Sequence, residues 1–311
     1  MSPISRRDFF KRTATGVAAA GFATAIAELH ASPYDWPIGM QIFPLAKMID
    51  TDFRGTMKLV ADAGIQTVEL LSPWYNKHNF GLADMEKYTG AEIQKILGDL
   101  GLKAVSAHVD MTECRGDEVP KIIQWAKDRG LSQICVPSLD GPRNGTLDDV
   151  KRLAAEYNKC AEASAKAGLQ QGLHTEGFEL SMVDGKRVFD IMLADYLDPK
   201  LVKFQFQMST ITSGLVAADY FTKWPGRFVS MHLQDLDMTT PVAPPPPPAP
   251  GAPAGRAGRG AGRTQKPIGQ GSIDWVKTFQ AAKVGGVKNF FIEQSLDLAK
   301  QGVPFLKALK V

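Results

Sequence analysis

The chain has 311 residues, of which 44% are hydrophobic and 22% charged, and its formal net charge is +3. These values are ordinary for a globular protein, and the length suits a single barrel of about 250 residues preceded by a leader. Part of the small positive charge lies in the first residues and in one loop, so the body lacks the basic surplus of a nucleic-acid-binding protein.

The N-terminus predicts a twin-arginine (Tat) export signal. Arg6 and Arg7 precede the small, apolar run "TATGVAAAGFATAIA", and cleavage sites follow at Ala25-Ile26-Ala27 or Leu29-His30-Ala31. We therefore expect residues 1–31 to be a signal peptide, the Tat machinery to be a partner, and the mature protein to be periplasmic. The alternative is an amphipathic N-terminal helix. The run is too short for a comfortable bilayer span, so no stable membrane span is predicted.

From residue 37 onward, short apolar runs alternate with longer helical patterns, which is typical of a parallel βα repeat. Three of the helical patterns end at glycines, Gly64, Gly101 and Gly168, where a left-handed residue closes a helix. The predicted strands are 38–43, 67–71, 103–108, 133–138, 169–174, 202–208, 228–235 and 289–294. Eight such units predict an α/β fold, a (β/α)8 TIM barrel, over residues 33–311.

Two features interrupt or accompany this pattern. Residues 239–266 form a proline tract followed by a Gly/Arg-rich run, which predicts a disordered or extended loop on the face that carries barrel active sites. It is either a lid or polyanion-binding loop or, as we favour, a tolerated low-complexity insertion. Three cysteines, Cys114, Cys135 and Cys160, lack a paired spacing and are expected to be buried thiols.

Polar residues end several predicted strands, where barrel enzymes place their active sites. They are Gln41, Glu69, His108, His174, Glu176, Gln207, His232, Asp235 and Glu293. In "GLHTEGFEL", alternation along a strand should direct His174 and Glu176 to one side and Thr175 to the other. Imidazoles and carboxylates that converge from several strands suit a divalent ion such as Mn²⁺, Zn²⁺, Co²⁺ or Mg²⁺.

The segments "GLHTEGFEL", "PGRFVSMHLQDLD", "IGQGSIDW" and "GVKNFFIEQ" resemble the sugar phosphate isomerase/epimerase family, a group of xylose isomerase-like TIM barrels. The resemblance runs from about residue 38 to the C-terminus. It implies a divalent metal held by a strand-five Glu or His, a strand-six Asp, a strand-seven His and a strand-eight Glu. The implied ligands are His174, Glu176, Gln207, His232 and Glu293.

Two positions depart from the family pattern. Gln207 stands where relatives have a carboxylate, and Glu293 is followed by Gln294 and Ser295 where relatives often have Glu-x-Asp. An amide is an uncharged and weaker ligand, so the departures should lower metal affinity. Our hypothesis is that His174 and Glu176 together compensate for Gln207.

The resemblance implies an isomerase or epimerase that removes a proton α to the carbonyl of a sugar or keto-sugar through a metal-stabilised enediolate. Glu176 and Glu293 are the candidates for moving the proton. A lyase or dehydratase acting on a keto-sugar or inosose would use the same site. Candidate substrate-binding residues are His108, Gln41, Glu179, Arg227 and Trp74. Arg227 is equally interpretable as a structural cation, and Trp74 as a loop anchor.

Two rival functions remain. A metal-dependent apurinic endonuclease has a similar barrel, but export and the near-neutral body argue against it. A non-catalytic exported sugar-binding protein is compatible with the loss of a carboxylate at Gln207. Either sugar-related function predicts a small carbohydrate as the partner. The sequence contains no phosphate-binding motif that would favour a phosphorylated sugar. Relatives are often oligomeric, so a homo-oligomer is possible.

Overall fold

A computed structural model describes residues 33–142, 144–240 and 262–311. The predicted signal peptide lies outside these ranges, as does the central part, 241–261, of the predicted loop. Among the described residues, no helix combines the length and the apolar character needed to cross a bilayer.

Eight parallel strands close into a barrel in which each strand pairs with its neighbours in chain order, and β8 pairs with β1. The strands are β1 Ile38–Gln41, β2 Thr67–Leu71, β3 Lys103–His108, β4 Gln133–Val136, β5 Gln170–His174, β6 Val202–Gln207, β7 Phe228–Leu233 and β8 Asn289–Ile292. The predicted (β/α)8 barrel is therefore confirmed. Several strands end one or two residues earlier than predicted, where the chain turns into the loops at the carboxyl end of the barrel.

Helices surround the barrel. They are α1 Phe53–Asp62, α2 Gly90–Asp99, α3 Glu118–Asp128, α4 Leu147–Lys166, α5 Val188–Ile191, α6 Ala217–Lys223, α7 Trp275–Gly285 and α8 Leu296–Ala308. Gly64, Gly101 and Gly168 all have positive φ angles just after α1, α2 and α4, which confirms them as helix ends. At the other end, Thr89 and Thr146 form capping boxes that satisfy the first free N–H groups of α2 and α4.

The barrel has an apolar exterior and a polar interior. Outside, rings such as Phe221 and Phe228 meet edge to face, with centroids 4.8 Å apart, beneath the helices. Inside, the Gln133 amide of β4 donates to Ser106 Oγ of β3 at 2.9 Å and to Ser230 Oγ of β7 at 3.2 Å. Polar side chains from several strands thus form a hydrogen-bonded layer beneath the catalytic end.

Asp235 fixes the loop that follows β7. Its buried carboxylate accepts hydrogen bonds from four backbone N–H groups and from one indole N–H. The donors are Leu236, Gly269, Gly271, Ile273 and the Trp275 side chain. A Cβ at Gly271 would lie 2.2 Å from Asp235 Oδ1, so only glycine fits there. The motif "IGQGSIDW" therefore supplies three backbone N–H groups and one indole N–H that bind the Asp235 carboxylate.

Asp235→Ala is expected to lower the free energy of unfolding by about 3 kcal/mol, because it leaves several buried donors without an acceptor. Asp237→Ala is the matched control: Asp237 is only half-buried, and its carboxylate accepts hydrogen bonds from Thr239 and Thr240. It should cost less than about 1 kcal/mol. Urea unfolding followed by tryptophan fluorescence measures both, and equal losses in the two variants would contradict the role of Asp235.

Candidate functional site

The carboxyl end of the barrel brings together the residues for which a metal role was predicted. His174, Gln207 and His232 are fully buried, and Glu176 and Glu293 are nearly so. His174 is the last residue of β5 and Gln207 the last of β6, while His232 pairs in register with Gln207 on the neighbouring β7. The staggered ends of these parallel strands therefore place the five side chains around one point.

Glu69 on β2 is the polar partner of His232. Its Oε2 atom lies 2.5 Å from His232 Nε2, and its Oε1 atom accepts from Ser106 Oγ at 2.6 Å and from Gln205 Nε2 at 2.8 Å. Burial alone would raise the pKa of Glu69, but the His108 and His232 imidazoles and these hydrogen bonds lower it. Glu69 is therefore a buried carboxylate that orients His232.

The other nitrogen of His232 faces Glu293. Nδ1 lies 3.4 Å from Glu293 Oε2 without a well-formed hydrogen bond, and the same oxygen accepts from Gln207 Nε2 at 2.6 Å and from Gln234 Nε2 at 2.9 Å. Although burial opposes both changes, the mutual attraction lowers the pKa of Glu293 to about 2, and the two carboxylates raise the pKa of His232 to about 10.

Three imidazoles lie side by side: each of His108, His174 and His232 offers a nitrogen within 4.8 Å of the others. The rings of His174 and His232 are 4.6 Å apart. Nε2 of His108 contacts Gln205 Oε1 at 2.7 Å, and burial lowers the pKa of His108. Three adjacent imidazolium ions would repel strongly. The lowered pKa of His108 and the raised pKa of His232 make His232 the charged ring, and a metal ion would have to displace its Nδ1 proton.

His174 and Glu176 do share a side, as the alternation predicted. His174 Nε2 lies 3.9 Å from Glu176 Oε1, while Thr175 turns away and its Oγ1 accepts from the backbone N–H of Gln207 at 2.8 Å. The Gln207 amide nitrogen lies 3.5 Å from Glu176 Oε1 as well as 2.6 Å from Glu293. Gln207 thus stands between two carboxylates and donates to both.

The side-chain oxygen and nitrogen atoms at this point suit a cation. Among the described residues, Gln207 Oε1, Gln234 Oε1 and His232 Nδ1 are buried atoms without a hydrogen-bond partner. Together with the Glu176 and Glu293 carboxylates they form a surplus of acceptors in one place, which a divalent ion would satisfy. The Glu69–His232 contact is the carboxylate–histidine arrangement that orients metal-binding imidazoles.

The predicted substrate-binding residues divide into two groups. His108 and Gln41 lie at the carboxyl ends of β3 and β1, and both are buried; Gln41 Oε1 accepts from the Phe43 backbone N–H. Trp74 packs on His78, with ring centroids 4.0 Å apart, and on Phe80, which supports the loop-anchor alternative.

Two residues predicted to bind substrate make structural contacts instead. Arg227 precedes β7, at the end of the barrel away from the site, and donates to the carbonyls of Leu193 and Leu197, so it is a structural cation. Glu179 is fully buried and accepts from the backbone N–H of Leu139 and from Ser138 Oγ, both at 2.7 Å. It ties the loop after β5 to the loop after β4.

Glu179 predicts a pH dependence of stability. Burial raises its pKa from 4.5 to about 8, so the folded state binds a proton more tightly than the unfolded state does. Stability should therefore fall, by about 3.5 kcal/mol, as pH rises from 5 to 8. In Glu179→Gln, which remains neutral, this part of the fall should disappear. Urea unfolding at several pH values measures it; parallel curves for the two proteins would contradict the assignment.

The structure makes two residues central, Glu69 and Gln205, to which the sequence gave no specific role: Glu69 was only one of the polar residues that could converge on an ion, and Gln205 was not singled out. Both side chains point into the barrel from the middle of their strands, where they bond each other and the imidazoles of His108 and His232. The available signal was the polar residue within each apolar strand, at the positions of Glu69 in "TVELL" and Gln205 in "VKFQFQ".

Solved structures share this fold. A sugar phosphate isomerase/epimerase from Parabacteroides distasonis ATCC 8503 has a TM-score of 0.65 at 18% identity, covering 88% of this chain and 94% of its own. The probable 3-DHS dehydratase AsbF from Bacillus anthracis has a TM-score of 0.62 at 11% identity, with 87% and 98% covered. The IolI protein with a bound zinc atom has a TM-score of 0.62 at 10% identity, with 88% and 96% covered.

No family model matches the sequence, and no curated protein matches it significantly. At these identities the structural likeness establishes the fold, a xylose isomerase-like TIM barrel, whose known examples include isomerase/epimerase and dehydratase proteins.

Proposed function

We propose that this chain is a divalent-metal-dependent isomerase or epimerase that moves a proton on the carbon next to the carbonyl of a sugar or keto-sugar. The observation that carries the proposal is the pair of buried carboxylates, Glu176 and Glu293, which flank Gln207 beside His232 Nδ1. A group of cation ligands and a proton acceptor would thus lie side by side at the carboxyl end of the barrel, as this chemistry requires.

The two carboxylates have different surroundings, and we assign them different roles. Glu293 Oε2 accepts from two amides and faces His232, so its charge is already engaged and suits a fixed ligand. Glu176 Oε1 lies 3.5 Å from the Gln207 amide nitrogen and 3.9 Å from His174 Nε2, and Glu176 follows β5 at the start of a turn. We therefore assign the proton transfer to Glu176, which narrows the earlier prediction that named Glu176 and Glu293 as candidates for this step.

The residues that would hold the ion are His232 through Nδ1, Glu293, Gln207 through Oε1, His174 and Glu176. A bound Mn²⁺, Zn²⁺, Co²⁺ or Mg²⁺ would polarise the carbonyl and acidify its neighbouring C–H. The protein's own part is to orient: Glu69 fixes the His232 ring, and Thr175 fixes the backbone of Gln207. The His108 and Gln41 side chains remain our proposed contacts for substrate hydroxyls.

A second candidate function is a dehydratase. His174 Nε2 lies 3.9 Å from Glu176 Oε1, so an imidazole next to the proposed base could donate a proton to a departing β-hydroxyl. The likeness to a probable dehydratase supports keeping this reaction, on a keto-sugar or inosose, as an alternative. The products distinguish the two, since dehydration releases water and leaves a new double bond.

Two further proposals do not depend on the site. Export by the Tat pathway to the periplasm rests on residues 1–31 alone, and a homo-oligomer rests on the family resemblance. Fractionation of cells that express the full chain tests the first, and light scattering of the folded protein tests the second.

Two measurements test the proposed function. Elemental mass spectrometry on protein incubated with each metal should find about one ion per chain, lost in His232→Ala and kept in His78→Ala, which removes an exposed histidine outside the site. The metal-loaded protein should then be incubated in deuterated water with a panel of ketoses, and deuterium should enter a substrate at the carbon next to its carbonyl. A protein that is stabilised by a sugar but exchanges no hydrogen would be the non-catalytic binding protein instead.

A further inference from the structure

Two buried glutamines at the carboxyl end of the barrel each keep one amide atom without a hydrogen-bond partner among the described residues. Gln234 follows β7, and its Nε2 atom donates to the backbone carbonyl and to the Oε2 atom of Glu293, each at 2.9 Å. Gln41 ends β1, and its Oε1 atom accepts from the Phe43 backbone N–H. The atoms left over are Gln234 Oε1 and Gln41 Nε2.

The existing contacts fix the orientation of both amides. Only an NH₂ group can donate to the two Glu293 oxygens, so the remaining atom of Gln234 is an acceptor. Only an oxygen can accept from a backbone N–H, so the remaining atom of Gln41 is a donor. A buried polar atom without a partner is costly, and a ligand hydroxyl, which both donates and accepts, can satisfy either of them.

Both amides lie on the site's side of the barrel wall. Gln41 is in register with Glu69 of β2, which points into the interior, and partners in register on parallel strands point the same way. Gln234 lies two residues after His232 and contacts the Glu293 side chain. A substrate bound beside His232 and Glu293 would therefore meet Gln234.

The buried charge at this end of the barrel is acidic. Three carboxylates are buried there: Glu69, Glu176 and Glu293. Arg129 is the only Lys or Arg side chain that is buried among the described residues; it precedes β4, at the other end of the barrel, with its guanidinium 4.4 Å from the centre of the Trp125 ring. With a divalent ion bound to neutral imidazoles, the three carboxylates exceed its charge, which disfavours an anionic substrate group.

The loops at this end contain half-buried cations in the part of the chain that the structure describes. They are Arg115, Arg187, Arg263 and Lys266. Arg115 forms ion pairs, and Arg187 and Arg263 donate to backbone carbonyls. Lys266 lies on a short strand that pairs with Asp235–Leu236, and an anion bound there is the alternative that the experiment must address.

We propose that the site takes an uncharged sugar or keto-sugar and that Gln234 helps to select it, accepting a hydrogen bond from one substrate hydroxyl while Gln41 donates to another. This inference rests on the proposed function and narrows its substrate class. Gln234 is outside the set of ligands proposed for the ion, so its oxygen remains available when the ion is bound. An amide matches a hydroxyl without adding charge, whereas a phosphate ester would bring negative charge next to Glu293.

Calorimetric titration of the metal-loaded protein tests the preference for an uncharged ligand. The probes are matched pairs of a ketose and its terminal phosphate ester, D-fructose and D-fructose 6-phosphate among them. The ketose should bind about tenfold more tightly than its phosphate. Equal or tighter binding of the phosphates would overturn the preference and direct attention to Lys266.

Deuterium exchange on the same compounds separates this inference from the proposed function. Exchange on the phosphates alone would keep the proposed function and overturn the uncharged substrate. Tighter binding of the ketoses without any exchange would overturn the proposed function and keep the preference for an uncharged ligand.

Gln234→Met tests the hydroxyl contact, because it keeps the length of the side chain and removes the amide. It should weaken binding of the best ketose by about tenfold at saturating metal. A loss through a hydroxyl contact disappears for the deoxy analogue that lacks that hydroxyl, whereas a loss through a loosened Glu293 affects every analogue equally. Gln234→Asn, which withdraws the amide by one methylene, should give the same pattern.

Gln294→Met is the matched control. Gln294 is also a buried glutamine whose Oε1 atom lacks a partner among the described residues, but its Nε2 atom donates to the Lys266 carbonyl at 2.9 Å. Its affinity for the ketose should stay within about twofold of the wild type. Equal losses in Gln234→Met and Gln294→Met, or an equal loss for every deoxy analogue, would overturn the contact between Gln234 and the substrate.

Discussion

Glu176→Gln is expected to lower the rate of α-hydrogen exchange by about 10³-fold at saturating metal while the protein stays folded. Glutamine keeps the size and the hydrogen-bonding oxygen of the side chain but cannot accept the substrate proton. The reaction to follow is the entry of deuterium from solvent into the best substrate of the panel. Metal titration of the same variant tests whether Glu176 compensates for Gln207, in which case affinity should fall as well.

Glu179→Gln provides the matched control for this experiment. It makes the same chemical change three residues further on, at a carboxylate that is equally buried but binds only loop groups, Leu139 N–H and Ser138 Oγ. At pH 7 its exchange rate should stay within about twofold of the wild type. If Glu176→Gln exchanges hydrogen as fast as this control, the proton acceptor is another residue.

Residues 173–180 show how far strand alternation predicts the direction of a side chain. Strand alternation correctly placed His174 and Glu176 on one side, because Glu176, although two residues past the end of β5, still has an extended backbone with φ −132° and ψ 170°. It did not predict that Gly177, at a φ of 63°, turns the chain so that Glu179 reaches back to the loop after β4. A polar residue after a strand end points wherever its turn directs it, and the strand period no longer applies there.

The closed barrel also explains why Glu69 was harder to assign than Glu293. Glu293 follows directly after its strand, where the position of barrel active sites directs attention. Glu69 lies in the middle of β2 and reaches His232, which is 163 residues away in the chain and on a strand that is not its neighbour. Only the three-dimensional closure, and not the local spacing, brings these two side chains across the barrel interior. Arg227 shows the opposite situation. It belongs to the family-like segment "PGRFVSMHLQDLD", yet its guanidinium donates to the carbonyls of Leu193 and Leu197 and not into the barrel.

Glu69→Gln is expected to weaken metal binding by about 10- to 100-fold without unfolding the barrel. The Glu69 carboxylate can only accept, so it keeps a proton on His232 Nε2 and leaves Nδ1 for the ion. A glutamine can present its NH₂ group to Nε2 instead. The proton then moves to Nδ1, beside Glu293, where it blocks the lone pair that the ion needs.

Ser106→Ala separates this effect from a general loosening of the polar layer. It removes one donor to the same carboxylate, at 2.6 Å, but leaves the contact between Glu69 and His232 in place. It should cost about 1 kcal/mol of stability and change metal affinity by less than about threefold. Metal titrations of the three proteins at one pH measure the difference. If Ser106→Ala and Glu69→Gln weakened metal binding equally, Glu69 would act by packing alone, whereas a loss confined to Glu69→Gln requires that it sets which nitrogen of His232 carries the proton.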